Sequence, residues 1–195
     1  TEGGPGAGNT AAELKRIGTA KGYLLQVTNR YGTWVAVKKS LVKDSWKTGA
    51  EFVLLSSSKY IPKPSGSWGD KGIVWASWNM GAEFGTVSVG SVHYLTTGGA
   101  GAALKKKTDI EYSKAIQSWA NTHGSGERLA FIGGDFNLSD KTHDVFYGVA
   151  KFDTCWDDLK TWPSTGYGNI DAIARYRPDS RVKCVGARVL DDKKV

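Results

Sequence analysis

The sequence predicts an α+β domain of two packed, mostly antiparallel β-sheets with helices on their outer sides. Three observations lead there. Strand-like segments outnumber helix-like ones by roughly three to one. The helical segments fall between groups of strands rather than after each strand, which disfavours a regular parallel βαβ sheet. The 195 residues are 40% hydrophobic and show no internal repeat and no linker-like stretch, as suits one domain with a sizeable core.

Residues 1–9 are glycine-rich and read as a loop that opens on Glu2. Thr10-Ala11-Ala12-Glu13 has capping-box spacing and predicts a helix from Ala11 to about Ala20, with Leu14 and Ile17 facing inward and Gly22 ending it. Tyr23–Thr28 and Thr33–Lys38 read as strands joined by a hairpin turn at Asn29-Arg30-Tyr31-Gly32. Lys38, Lys39, Lys43 and Lys47 follow closely, with Trp46 among them. Glu51–Ser56 reads as a further strand, and Lys59–Asp70 as a long loop.

Gly72–Trp78 and Gly85–Tyr94 read as adjacent strands. In the second, alternation puts Val87, Val89, Ser91 and His93 on one face. A histidine there is either a satisfied core residue or a group that titrates near neutrality and serves catalysis. The glycine-rich run Thr96–Ala103 lacks the Gly-Lys-Ser/Thr ending of a phosphate-binding loop and reads as a connector. Lys105-Lys106-Lys107 then precedes a second capping box, Thr108-Asp109-Ile110-Glu111. It predicts a helix to about Asn121 with Tyr112, Ala115, Ile116 and Trp119 on its packing face.

Arg128–Ile132 reads as a buried strand running into Gly133-Gly134-Asp135-Phe136-Asn137. If the chain stays extended, Asp135 and Asn137 point to one side and Phe136 to the other, into the core. A strand end presenting a carboxylate beside a carboxamide suits a phosphoryl group, with the Asp as base or cation ligand and the Asn as donor. Gly-Gly-Asp is equally ordinary turn chemistry. Thr142–Ala150 reads as a short helix, Phe152–Pro163 as irregular, and Asn169–Tyr176 and Arg181–Leu190 as late strands. Alternation places Asp171 with Ile173 on an apolar face, where a carboxylate needs a partner.

The net charge of +7 and pI of about 9.3 favour a polyanionic partner, although solubility alone would explain them. Cys155 and Cys184 lie in no metal-binding spacing, and a disulfide between them is possible. No stretch reaches the ~18 apolar residues of a membrane span. No signal peptide is visible, and a soluble, cytoplasmic protein is expected.

Glu2, His93, the tetrapeptide Gly134-Asp135-Phe136-Asn137 and Ile170-Asp171-Ala172-Ile173 occur in a specific order. In that order they resemble the endonuclease/exonuclease/phosphatase superfamily of DNase I-like nucleases, abasic-site endonucleases and inositol polyphosphate phosphatases. The resemblance covers essentially the whole chain. It implies a four-layer DNase I-like sandwich. The family's first-strand Asn and closing Ser-Asp-His have no counterpart here, so a single domain over 1–195, trimmed at both ends, is expected.

The resemblance further implies Mg²⁺- or Mn²⁺-dependent phosphoester hydrolysis. Glu2 would hold the metal, and Asp135 would position or deprotonate the attacking water. Asn137 and His93 would bind the phosphoryl oxygens, and Asp171 would orient the closing histidine. Nucleic acid is the expected substrate, with Lys38, Lys39, Lys43, Lys47, Arg175, Arg177 and Arg181 as backbone contacts. Inositol phosphates or phospholipids are the alternative substrates, and an inactive nucleic-acid-binding module of the same fold is the alternative from another class.

Overall fold

The computed structural model describes residues 10–27, 33–53, 71–94, 102–124, 128–137, 146–154, 171–176 and 182. In chain order they form α1 (Thr10–Ala20), β1 (Tyr23–Val27), β2 (Trp34–Lys38), β3 (Asp44–Val53), β4 (Lys71–Asn79) and β5 (Thr86–His93). There follow α2 (Ala102–His123), β6 (Arg128–Asp135), β7 (Phe152–Thr154) and β8 (Asp171–Tyr176). β1 and β2 make a two-stranded antiparallel sheet. The other six strands form one sheet in the order β3-β4-β5-β6-β8-β7. Every neighbouring pair in it is antiparallel except β5 with β6.

Strand alternation divides the six-stranded sheet into two apolar faces. Ile73, Val92, Ala130, Ile132 and Ala174 pack against Tyr112, Ile116, Trp119 and Ala120 of α2. Ala76, Trp78, Val87 and Leu129 pack against Val35 and Val37 of the hairpin. The hairpin's other face carries α1. Leu25 pairs with Ala36, opposite in facing to Val35 and Val37, and it fills the space over Gly18, where a Cβ would come within 2.1 Å of it. The layers are therefore α1, hairpin, six-stranded sheet and α2, in agreement with the predicted sandwich.

Several elements differ from the sequence reading. α1 packs through Ala11, Leu14 and Gly18, the half-buried positions, and Ile17 is exposed rather than inward. Gly22 ends the helix with φ 78° as expected. β3 starts at Asp44, with a register shift between Asp44 and Lys47, so Trp46 and Lys47 belong to a strand rather than a connection. α2 begins at Ala102, not at the capping box. Thr108 and Asp109 are buried in its middle, each 1% exposed, and the three lysines lie in its early turns. Residues 146–150 form a single π-helical turn, and Phe152–Thr154 is a strand. The hairpin turn, the 59–70 loop, both cysteines and most of the last predicted strand lie outside the described residues, although Val182 packs against the hairpin-side core.

His123 closes α2 with its ring 4.3 Å from that of Trp75 and 5.4 Å from that of Trp119. Its Nε2 lies 3.7 Å from Glu51 Oε1. Burial holds its pKa below the ordinary 6.5, and the attraction of Glu51 offsets this only in part. The unfolded chain therefore binds the proton more tightly than the folded one. The stabilising share of neutral His123 is present above pH 6.5 and is lost as pH falls towards the lower folded value. We expect the melting temperature to drop as pH is lowered below that point, and His123→Gln to flatten this slope in thermal denaturation monitored by circular dichroism.

Candidate functional site

The parallel pairing of β5 with β6 sets His93 directly beside Asp135, both at the last position of their strands. Alternation aims them at the hairpin-side face of the sheet, in line with Val89 and Phe131 of that core. His93 Nε2 lies 3.8 Å from Asp135 Oδ2, and the two side chains are 20% and 17% exposed. That separation is an ion pair when the imidazole is protonated and too long for a hydrogen bond. Both groups are half-buried, desolvated enough to interact and open enough to meet a substrate.

Gly134 makes the close pairing possible. Its φ is 145°, and a Cβ there would come within 1.9 Å of the Val92 carbonyl oxygen, a backbone atom that no rotamer change can move. Phe136 crosses to the α2 side, where it is buried with its ring 5.6 Å from that of Tyr94. This part of the extended-chain reading holds.

Asn137 differs from that reading. Its φ is 45°, in the left-handed region, so the chain turns rather than continuing as a strand. Asp135 Oδ1 accepts a hydrogen bond from Asn137 N at 2.7 Å, an Asx turn. Asn137 Nδ2 donates to the Tyr94 carbonyl at 3.1 Å, and Tyr94 N donates to the Asp135 carbonyl at 2.9 Å. The carboxylate and carboxamide are thus brought together by a closed set of three hydrogen bonds, not by alternation.

Tyr94 is the residue that sequence reasoning missed. It touches the site through its peptide groups, and its side chain anchors that peptide to α2. The ring is fully buried 4.7 Å from the Tyr112 ring, and its hydroxyl lies 2.8 Å from Ser113 Oγ. Burial pushes its pKa well above the ordinary tyrosine value, so the phenol stays protonated. Tyr112 OH in turn donates to the Gly72 carbonyl at 2.6 Å, tying α2 to the start of β4.

Asp171 opens β8 directly opposite Asp135 across the ladder. Its side chain, and the whole of Glu2, lie outside the described residues. The face of β8 on which Asp171 was expected among apolar neighbours is open at Ile173, which is 65% exposed, while Ala174 and Tyr176 are buried on the other. The described residues contain no group of three or more His, Cys, Asp or Glu side chains able to hold a metal. Asp135 is a hard oxygen donor of the kind Mg²⁺ accepts, and one or two carboxylates plus water suffice for that ion.

The expected lysine contacts are exposed but not beside the site. Lys43 N bonds to Asn79 O, and Asn79 pairs with Thr86, at the far end of β5 from His93. Seven residue steps separate these ends, about 23 Å at strand rise. Lys47 pairs with Ser77 and through it with Ser88, about 17 Å from His93 by the same measure. Arg175 is half-buried on β8, and Arg177 and Arg181 lie outside the described residues.

The left-handed turn makes a direct prediction. Asn137→Ala forces a Cβ-bearing residue without a turn-forming side chain into φ 45° and removes the bond to Tyr94. Asn137→Gly removes the same bond but relieves the backbone. Urea denaturation is expected to show the alanine variant less stable than the glycine variant by about 1 kcal/mol.

Neither a protein-family model nor a curated protein matches the sequence. Solved structures match at low identity. An endonuclease/exonuclease/phosphatase family protein from Bacteroides thetaiotaomicron aligns with TM-score 0.56 and 16% identity, over 85% of this chain and 64% of its own. The human Nocturnin catalytic domain, with bound sulfate, aligns with TM-score 0.61 and 10% identity, over 87% of this chain and 66% of its own. D. rerio TDP2, in complex with a single-strand DNA product, aligns with TM-score 0.56 and 14% identity, over 90% of this chain and 68% of its own. This chain therefore spans slightly less than two thirds of the Bacteroides protein's length. Together with the layer order, these matches show that the chain shares the layered fold of these solved structures.

Proposed function

We propose that this chain hydrolyses phosphoesters at the β5–β6 strand ends with the help of a divalent cation, and that its substrate is nucleic acid. The observation that supports this most is the juxtaposition of His93, Asp135 and Asn137, an imidazole, a carboxylate and an oriented carboxamide at one strand edge. The Nocturnin catalytic domain carries a bound sulfate and D. rerio TDP2 a single-strand DNA product, which support a phosphate-containing substrate and the choice of nucleic acid. The net charge of +7 favours any polyanion.

In this reading Asp135 takes a proton from water as the water oxygen bonds to phosphorus. The ester oxygen leaves with the electron pair of its broken bond. The Asx turn holds the carboxylate in one orientation, so no reorganisation is needed at the moment of transfer. Asn137 turns its amide by bonding Tyr94, and its second N–H donates to a phosphoryl oxygen. His93 donates to another. Glu2 would hold Mg²⁺ or Mn²⁺, which neutralises phosphate charge when bound. Asp171, paired opposite Asp135 across the β6–β8 ladder, lies at the same strand edge.

One observation favours a second reading. Lys43 and Lys47 lie far along the sheet from the site, and a compact phosphate ester such as an inositol phosphate needs no basic track to reach them. The test is cleavage of plasmid DNA, RNA and inositol phosphates with Mg²⁺ or Mn²⁺. Asp135→Ala is expected to lower the rate at least ~10²-fold, and EDTA to abolish it. Cleavage that survives Asp135→Ala would refute the site. Turnover of inositol phosphates alone would establish the second reading. Nucleic-acid binding without turnover of any substrate would make the chain a binding module.

A further inference from the structure

Three chain connections meet at the end of the sheets remote from His93 and Asp135. Lys39 N donates to the Gly22 carbonyl at 2.9 Å, joining the β2–β3 connection to the α1–β1 connection. Lys43 N donates to the Asn79 carbonyl at 3.2 Å, joining it to the β4–β5 turn. That turn is closed by Met80 N to Gly85 O at 2.9 Å and Gly85 N to Gly81 O at 2.8 Å. Tyr23 pairs with Lys38 at the same end of the hairpin.

Each of the three connections exposes a large apolar side chain. Leu41 is 47% and Phe84 44% exposed, and Tyr23, where the α1–β1 connection enters β1, is 39% exposed. Ile17 is exposed one helical turn back, its carbonyl bonded by Lys21 N. Scattered exposed apolar residues are ordinary. Here four of the five large ones among the described residues gather at one end, and only Ile173 lies elsewhere. Lys21, Lys38, Lys39 and Lys43 belong to or adjoin the same connections, all exposed, as are the acidic Asp44 and Glu83.

An apolar tip ringed by lysines fits an interface that is apolar within and anionic at its surface. A nucleic acid would use the lysines and the two aromatic rings, but Ile17 and Leu41 give a base no stacking face. A bilayer uses all of them: aliphatic and aromatic side chains enter the headgroup boundary, and lysines meet lipid phosphates. We propose that this end of the molecule docks on anionic lipid bilayers through Leu41 and Phe84, with Lys38, Lys39 and Lys43 at the headgroups. Docked in this way, the protein turns the His93–Asp135 end towards solution, so its substrate arrives from the aqueous side. The proposal does not depend on the hydrolytic reading.

The test is co-sedimentation of the 195-residue chain with vesicles of phosphatidylcholine alone and of phosphatidylcholine with one quarter phosphatidylserine. Binding to the anionic vesicles only is expected. The double variant Leu41→Ser, Phe84→Ser is expected to weaken it by about tenfold or more. Lys39→Glu and Lys43→Glu are each expected to weaken it by about fivefold or more. All these positions are exposed, so an unchanged unfolding midpoint is expected to accompany the loss. No binding to anionic vesicles, equal binding to neutral ones, or binding unaffected by the Leu41/Phe84 double variant overturns the proposal. Capture of a single-stranded oligonucleotide by the same lysines, without vesicle binding, overturns it in favour of nucleic acid.

Discussion

The candidate site depends on the backbone of one residue, Tyr94. Its N–H is held by the Asp135 carbonyl and its C=O by the Asn137 amide, while Asn137 N–H closes back on the Asp135 carboxylate. Each bond alone is worth about 1 kcal/mol net. Together they fix the orientations of two side chains that would otherwise rotate. The Tyr94 ring is buried against Tyr112 and Phe136, so the peptide that carries the clamp is fixed by the core and not by the loop.

The clamp forms because β5 and β6 are parallel. This is the one parallel pair among the described residues, and α2 is the crossover that it requires. Parallel strands end together, so residues distant in sequence reach the same edge side by side. The helix that makes the crossover also supplies Tyr112 and Ser113 beneath the clamp. Gly134 allows the strands to close without a Cβ against Val92. Topology, packing and site geometry therefore rest on the same few residues. The opposite end of the sheet carries a different surface chemistry, apolar and basic, on connections that the site does not use.

The parts of this that were legible in sequence are those with local signatures. Alternation in Val87–His93 and the apolar run Leu129–Ile132 mark their strands, and Gly-Gly-Asp-Phe-Asn marks a strand end with chemistry. The start of α2 was not legible. Thr108-Asp109-Ile110-Glu111 has the spacing of a cap, yet Thr108 and Asp109 are buried within the helix, an outcome that tertiary packing decides. The start of β3 was hidden because an edge strand with exposed lysines shows no alternation. The pairing of His93 with Asp135 needs strand order, which no local pattern encodes. Tyr94 acts through its backbone, so its side-chain identity gives no hint of its role. Lys43 and Lys47 lie along the sheet from His93, and a basic run in sequence does not say which end of a strand it occupies.

The most direct measurement is a double-mutant cycle on His93→Ala and Asp135→Ala, using Mg²⁺-dependent hydrolysis of a small activated phosphodiester. If the two side chains serve one phosphoryl group at one opening, the double variant loses little more rate than the worse single variant. Losses that multiply in the double variant, or a single variant of Asp135 that retains full rate, would contradict a shared site at the ends of β5 and β6.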